Sequence, residues 1–177
     1  RRPPPPLDLL GDEEWWKFAT FDAFLNAVDD EPASLNAAFL VGHSTLRVGA
    51  MEKLDRAADP GEVKAMRANL EASMAAGAVG LSTGLFYAPS AKAPTEEVIE
   101  LAKGVKAYGG RYVTHMRDEG NDVLKSLEET FLIGREAGVP VVVSHHKVHG
   151  KGNFGRSKET LELFERYRHT QKIGLDV

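Results

Sequence analysis

The chain has 177 residues, 42% of them hydrophobic and 27% charged, which is ordinary for one globular domain with a real core. A net charge of −4 argues against nucleic acid as a partner, because a polyanion is normally bound by a basic face. The absence of cysteine excludes disulfides and thiolate metal ligands within these residues. No apolar run approaches the roughly 20 residues that span a bilayer, and no signal-peptide pattern is present. We therefore expect a cytoplasmic protein with no membrane partner.

Strand and helix signals alternate along the chain after a proline-rich start. The tract Arg1–Pro6 predicts an extended connector over residues 1–11. The apolar run Leu35–Val41 predicts a first strand, and further strands are expected to begin near residues 78, 111, 141 and 173. Helix patterns fill the gaps, the clearest starting at Asp59-Pro60-Gly61-Glu62, which combines a cap, a first-turn proline and a capping-box glutamate.

Strands spaced by about thirty residues, with a helix in every gap, are the pattern of βαβ units. Five such units fit either a doubly wound sheet or most of an eight-stranded barrel, which typically needs about 250 residues. The chain begins without Met and stops at Gly174–Val177, where a strand is starting, so we interpret it as a piece of a longer protein. The predicted fold is α/β, a partial TIM (β/α)8 barrel of about five βα units. On this interpretation residues 1–177 are the central part of a catalytic barrel whose flanking parts are missing at both ends.

Two successive predicted strands run into histidines at their carboxyl ends. Arg111–Thr114 leads into His115, and the valine run from Val141 leads through Ser144 to His145 and His146. Ligands and catalytic groups collect at the carboxyl ends of parallel strands, and imidazole is a common neutral zinc ligand. We therefore predict that His115 and His145 occupy equivalent places and converge on one metal ion, with other ligands coming from outside this chain. Since neighbouring strand residues point to opposite faces, one of His145 and His146 should face the site and the other should pack behind it.

Three further motifs have competing interpretations. Gly80–Gly84 matches the G-x-S-x-G pattern of serine hydrolases, but the elbow mechanism needs a helix directly after Ser82, and Leu85–Pro89 predicts a loop. The glycine-rich stretch Gly150–Gly155 lacks the P-loop frame and favours a mobile active-site loop. One interpretation of the run Arg117-Asp118-Glu119 is an acid–base set, but such groups beside a metal ligand more often orient it.

Taken together, several blocks in this order and spacing resemble the D-aminoacylase (N-acyl-D-amino-acid deacylase) family of the amidohydrolase superfamily. The resemblance covers essentially the whole chain, and long exact blocks such as His115–Gly120 make it specific. The matching blocks are Gly42–Arg47, Gly80–Gly84 with Tyr87, Thr114–Gly120, Ser144–Lys147 and Asn153–Thr160.

The resemblance implies a zinc-dependent (β/α)8 barrel that hydrolyses N-acyl-D-amino acids to a carboxylate and a free D-amino acid. His115 and His145 match metal-ligating histidines of the family. Lys147 matches a substrate-binding residue that can pair with the amino-acid carboxylate, and Tyr87 matches a tyrosine that hydrogen-bonds to the scissile carbonyl or its oxyanion. The residues expected to surround and orient these groups are Arg117, Asp118, Glu119 and His146.

The chain also departs from the family pattern. It contains no His-x-His pair and no bridging cysteine, and the family's catalytic aspartate and carboxylate-binding arginine match no position in it. We therefore expect the 177 residues alone to lack deacylase activity and to bind zinc weakly. The alternatives are a cyclic amidase of the hydantoinase or dihydroorotase type, a serine hydrolase using Ser82, and a doubly wound ligand-binding domain without catalysis. Substrate side-chain preference, the number of metals and the oligomeric state are not indicated.

Overall fold

The computed structural model describes residues 4–11 and 13–177, without the side chain of Trp15. Five parallel strands form one sheet whose spatial order is the chain order. They are Val41–Gly42 (β1), Gly80–Gly84 (β2), Arg111–His115 (β3), Val141–Val143 (β4) and Ile173–Leu175 (β5). Sequential order is that of a (β/α) barrel, whereas a doubly wound sheet reverses its strand order at a switch point. The predicted α/β fold with about five βα units is confirmed.

One helix precedes β1, and helices fill every gap between the strands. They are Phe21–Asp30 (α1), His43–Ala50 (α2), Pro60–Ala76 (α3), Ala88–Ala91 (α4), Thr95–Lys106 (α5), Val123–Ala137 (α6) and Ser157–Tyr167 (α7). Short 3-10 helices occur at Leu7–Leu10, Glu13–Trp15 and Lys151–Asn153. Residues 1–3 of the expected connector lie outside the described part; from Pro4 the chain turns directly into the first 3-10 helix. Within the described residues no helix combines the length and the apolar character that crossing a membrane requires.

Residues paired across the sheet form rows that face alternate sides. One row is buried against the helices and consists of Val41, Leu81, Tyr112, Val141 and Ile173, the last only partly buried. The next row, which includes Ser82, Val113 and Val142, faces the other side and is only half-buried. The helices therefore pack on one face of the sheet, as around a barrel wall, and not on both faces as in a doubly wound fold.

Local sequence signals explain where the main helices begin and end. The side chain of Asp59 accepts from the backbone N–H of Glu62, whose carboxylate accepts from the Asp59 N–H, so the predicted capping box is confirmed. Helix α6 ends at Gly138, whose φ of 68° is left-handed and suits glycine. Another glycine, Gly134, faces the sheet, and a Cβ there would lie 2.1 Å from Cγ2 of Val141. Helix α6 thus packs on β4 at a distance that only glycine permits.

One prediction about an element was largely wrong, and another held only in part. The expected strand over Leu35–Val41 is reduced to Val41–Gly42, and Leu35 is 82% exposed, because most of the run has no ladder partner. The stretch Leu85–Pro89, predicted as loop, is loop over residues 85–87 and then enters the four-residue helix α4. Pro89 lies in the first turn of that helix, where a missing N–H costs nothing.

A buried ionic network holds α2 against α5. The carboxylate of Glu97 accepts hydrogen bonds from His43 Nε2 at 2.9 Å, from Arg47 Nη1 and from the Ala58 N–H at 3.1 Å. Arg47 also donates to the carbonyl of Pro89 at 2.6 Å, so the network reaches α4. Burial alone would raise the pKa of Glu97, but the hydrogen bonds from His43 and Arg47 outweigh it and lower the pKa to about 2. The ion pair is therefore a fixed part of the framework behind the strand ends.

Candidate metal centre

His115 is the last residue of β3 and lies on the half-open face of the sheet. Its register partner on β2 is Gly84, one row beyond the helix-facing pair Thr83 and Thr114. The His115 ring packs on the ring of Tyr87, with centroids 4.9 Å apart. Burial lowers the pKa of His115, against the charge of Glu119, so the imidazole is neutral near pH 7, the form that binds metal ions.

His145 reaches the same point by a left-handed turn. The N–H of Ser144 donates to the carbonyl of Thr114, so Ser144, and not His145, stands beside His115 in register. An extended His145 would face the helices, as Val143 does. Instead its φ is +41°, a left-handed conformation that is unusual and costly for a residue with a side chain. The two histidines are therefore not in equivalent places, yet the turn brings Nε2 of His145 to 2.9 Å from Nδ1 of His115.

The two imidazoles lie at hydrogen-bond distance from each other, and their nitrogens are also close enough to share one cation. Zinc binds imidazole nitrogen at about 2.0–2.1 Å, so two nitrogens on one ion lie at most about 4.2 Å apart. A carboxylate oxygen of Glu119 completes a group of three donor atoms that all lie within 4.8 Å of one another. Glu119 is 5% exposed, and its Oε1 lies 3.2 Å from Nδ1 of His145 without forming a well-aligned hydrogen bond to any described residue. Two imidazoles at the strand ends beside a buried carboxylate oxygen are a donor set that fits a divalent metal such as zinc.

Glu119 also links His145 to Lys147. Its Oε1 lies 3.2 Å from Nδ1 of His145, and its Oε2 lies 2.5 Å from Nζ of Lys147. The Lys147 ammonium also lies 2.9 Å from Nδ1 of His145. Sequence reasoning placed Glu119 around the metal ligands, and the structure puts it in direct contact with one of them.

His146 packs behind the site. Its Nε2 lies 2.9 Å from the hydroxyl of Thr160, and its ring meets Phe164 edge-on, both on α7. Burial lowers the pKa of His146, so this ring is neutral near pH 7. The expected division between the two neighbouring histidines is present, with His145 facing the site and His146 turned away from it.

Two other expected site residues face elsewhere. Arg117 forms a two-pronged ion pair with Glu129 on α6 and donates to the carbonyls of Ala91 and Ala93. Asp118 accepts from the N–H groups of Gly120 and Asp122 and thereby closes the turn before α6. Neither residue has a hydrogen bond to His115 or His145 among the described contacts. Their role is to fix the loop that carries Glu119.

The competing motifs are built into the framework. The hydroxyl of Ser82 lies inside β2 and donates to the carbonyl of Val41 at 3.4 Å, and no histidine in the described residues bonds to it. The stretch Gly150–Gly155 is tied down, since Asn153 is buried and donates to Asn121 and to the carbonyl of His149. The first observation removes the geometric basis for a Ser82 nucleophile, and the second argues against a freely mobile loop.

Sequence reasoning missed the part that Asp176 plays. This residue follows β5, and its carboxylate accepts from the backbone N–H of His145. A single aspartate at the end of the last predicted strand carries no sequence signal for that contact. Only the order of the strands, which places β5 beside β4, could have suggested it.

Comparisons with known proteins agree with this geometry. No protein-family model matches the chain. D-aminoacylase of Alcaligenes xylosoxydans xylosoxydans is 54% identical over 174 residues, which are 98% of this chain and 36% of that protein. Two solved structures of D-aminoacylase superpose with a TM-score of 0.97 at 52% identity, covering 99% of this chain and 37% of theirs. One is described as defining a novel subset of amidohydrolases, the other by its binuclear metal centre, with one-metal activation and second-metal attenuation.

A more distant structure carries zinc. N-acyl-D-glutamate deacylase from Bordetella bronchiseptica, complexed with zinc and a phosphonate mimic of the tetrahedral intermediate, gives a TM-score of 0.90 at 37% identity. The match covers 99% of this chain and 38% of the chain of that deacylase. The chain thus spans about a third of the length of the proteins it matches. By sequence and by fold, it is a homologue of one segment of the D-aminoacylase and N-acyl-D-amino-acid deacylase family of amidohydrolases.

Proposed function

We propose that the full-length protein is a zinc-dependent hydrolase that cleaves the amide bond of N-acyl-D-amino acids, giving a carboxylate and a free D-amino acid. The observation that carries the proposal is the convergence of His115, His145 and Glu119 at the strand ends. Likeness to D-aminoacylase over nearly the whole chain supports the choice of linear N-acyl-D-amino acids as substrates. A small molecule, and neither nucleic acid nor membrane, is the proposed partner.

His115 and His145 are the residues that would hold the zinc ion, through Nδ1 and Nε2 respectively. With Nε2 of His145 toward the metal, its Nδ1 would carry the proton and would donate to Glu119, an arrangement in which a carboxylate fixes the tautomer and orientation of a ligating histidine. The Lys147 ammonium, which lies 2.9 Å from the same nitrogen and can only donate, would then keep its pair with Oε2 of Glu119 and leave Nδ1. When bound, zinc would lower the pKa of a coordinated water and polarise the scissile carbonyl. Glu119 can alternatively bind the metal itself, since its Oε1 lies within the donor group.

Tyr87 and Lys147 flank this point and supply the proposed contacts with substrate. Tyr87 is 38% exposed, and its ring is fixed against His115, so its hydroxyl can donate to the carbonyl oxygen as negative charge develops there. Lys147 is half-exposed beside Glu119, where its ammonium can pair with the carboxylate of the amino acid. A bound substrate carboxylate would then share Lys147 with Glu119.

We further propose that the five-stranded arc is the central part of a complete (β/α)8 barrel in the full-length protein. The sequential strand order and the single helix-covered face support this. A crystal structure of the full-length protein would test it. A cytoplasmic location is likewise a proposal, which fractionation of the source cells would test.

The function is tested on the full-length protein by metal analysis together with an assay over matched N-acetyl-D- and N-acetyl-L-amino acids. We expect bound zinc, turnover of the D-substrates only, loss of turnover with a chelator and recovery when zinc is restored. A serine-directed reagent should leave the activity unchanged. Metal-free protein that turns over substrate, or hydrolysis of cyclic amides in place of linear ones, would contradict the proposal.

A further inference from the structure

The position of His145 depends on a backbone conformation that the strand alone does not supply. Rows of β4 residues alternate between the helix face and the inner face, and an extended His145 would join Val141 and Val143 on the helix face. It is the one non-glycine residue with a positive φ among those described. Left-handed backbone at such a residue persists only where the surroundings enforce it.

Asp176 provides the enforcing contacts. Its own N–H donates to the carbonyl of Val143 at 3.1 Å, which extends the pairing of β5 with β4 by one residue. Its carboxylate then accepts from the N–H of His145, and its backbone carbonyl accepts from the N–H of His146 at 2.6 Å. Asp176, the residue after β5, thus bonds to Val143, to His145 and to His146, on both sides of the left-handed turn and at the turn itself.

The hydrogen bond to the carboxylate belongs to the turned conformation. Because two N–H groups in succession, those of His145 and His146, are directed at Asp176, the chain here departs from the alternation of an extended strand. The turned backbone places Nε2 of His145 2.9 Å from Nδ1 of His115 and leaves Nδ1 facing Glu119. The side chain of Asp176 touches neither imidazole nitrogen among the described contacts, so any effect it has on the metal is exerted through the backbone.

We propose that Asp176 is a positioning residue, whose carboxylate holds the backbone of His145 in the left-handed turn that aims its imidazole at the cation site. The proposal deepens the proposed zinc hydrolase function and rests on it for the identity of the cation. The role requires a hydrogen-bond acceptor at position 176 and does not require its negative charge. An amide oxygen at this position can accept the same hydrogen bond, whereas a methyl group cannot.

The test compares Asp176→Asn and Asp176→Ala in the full-length protein, with Glu162→Ala, an exposed acid on α7, as the control. Zinc affinity is measured on the metal-free protein by competition with a chromophoric chelator. We expect Asp176→Ala to bind zinc about 10–100-fold more weakly, the usual loss when a partner that orients a ligand is removed. Asp176→Asn should stay within about threefold of wild type because its Oδ1 still accepts. The cobalt-substituted protein should show an altered visible spectrum in Asp176→Ala only.

A second measurement separates this proposal from the proposed function. Amide hydrogen exchange at His145 is followed in the metal-free protein, where Asp176→Ala should accelerate exchange about tenfold, as expected for the loss of one charge-assisted hydrogen bond. If wild type binds no zinc while this acceleration is seen, the hydrolase function fails and the positioning role stands. Unchanged exchange and zinc affinity in Asp176→Ala would overturn the positioning role, as would an Asp176→Asn variant as impaired as Asp176→Ala.

Discussion

At the scale of single residues, the candidate site is organised by contacts of His145. Nε2 of its ring faces His115 and Nδ1 faces Glu119, so the two nitrogens are committed to different partners. A ring held at both ends can present one defined nitrogen to a metal without a search among rotamers. The neighbouring His146 cannot turn toward the site, because its ring is hydrogen-bonded to Thr160 and packed against Phe164.

Replacing His115 with Ala in the full-length protein should remove zinc and lower deacylase activity by orders of magnitude while the fold is kept. The reason is that the site loses one of its two imidazole donors, whereas a half-buried side chain at a strand end contributes little to the core. Zinc content, turnover and the urea unfolding midpoint are the measurements. His169→Ala, an exposed histidine after α7, is the control and should match wild type. Near-normal turnover of His115→Ala would remove this residue from the site.

Tyr87 and Lys147 should affect different kinetic constants. Tyr87→Phe removes a donor to developing negative charge and should lower kcat by about 10²–10³-fold with little change in KM. Lys147→Met removes a charge-assisted contact worth about 1.5–3 kcal/mol and should raise KM roughly tenfold or more. Steady-state kinetics on an N-acetyl-D-amino acid measure both, with Tyr108→Phe as an exposed control. The reverse pattern would exchange the two assigned roles.

At the scale of elements, the buried ion pair of Arg47 on α2 with Glu97 on α5 should make the stability of the fold sensitive to acid. The pKa of Glu97 is lowered from 4.5 to about 2, so its contribution to stability is complete above about pH 4.5 and is lost as the pH falls toward 2. The shift corresponds to about 3 kcal/mol. Glu97→Gln should therefore destabilise the protein by about 3–5 kcal/mol at neutral pH, since it leaves Arg47 buried and unpaired.

Urea unfolding between pH 2 and pH 7 measures this dependence, and Glu97→Gln should flatten it. Glu100→Gln on the same helix is the matched control, because its ion pairs with Arg67 and Lys103 are exposed and worth at most about 1 kcal/mol. Equal pH profiles for wild type and Glu97→Gln would show that the pair does not set the acid sensitivity.

Most elements could be predicted from the sequence, and the exceptions have a common cause. Periodicity and capping gave four strands and the long helices, since those patterns are local. Helix α2 was missed because Gly42-His43-Ser44-Thr45 at its start resembles a turn, and because the distant pair of Arg47 with Glu97 stabilises it. The expected strand over Leu35–Val41 was wrong because apolar character does not supply a ladder partner.

The candidate site was predictable only in part, for the same reason. His115 and His145 follow recognisable strands, so their convergence could be expected. The contact of Glu119 with His145 depends on a loop shaped by Arg117 and Asp118, and the turn at His145 depends on Asp176 from another strand. Such tertiary contacts leave no periodic pattern in the sequence.

At the scale of the whole molecule, we expect the site within these residues to be incomplete for catalysis. The chain supplies two imidazoles and one carboxylate at the strand ends, and it covers about a third of its relatives. The 177-residue chain by itself should therefore show no deacylase activity and should bind zinc weakly. Zinc titration and an assay with an N-acetyl-D-amino acid measure this, with the full-length protein as the positive control. Turnover by the chain alone would contradict the expectation.

The close packing of α6 on β4 has a consequence for a site that neither element contains. At Gly134 there is no space even for one methyl group against Val141, and Val141 begins the strand that leads to His145. Enlarging this glycine would push the helix away from the sheet and displace the strand that leads to His145. A bridging cation tolerates errors of only a few tenths of an ångström between its ligands. Metal binding at the proposed site should therefore be sensitive to a mutation on the helix-facing side of the sheet, away from the proposed ligands.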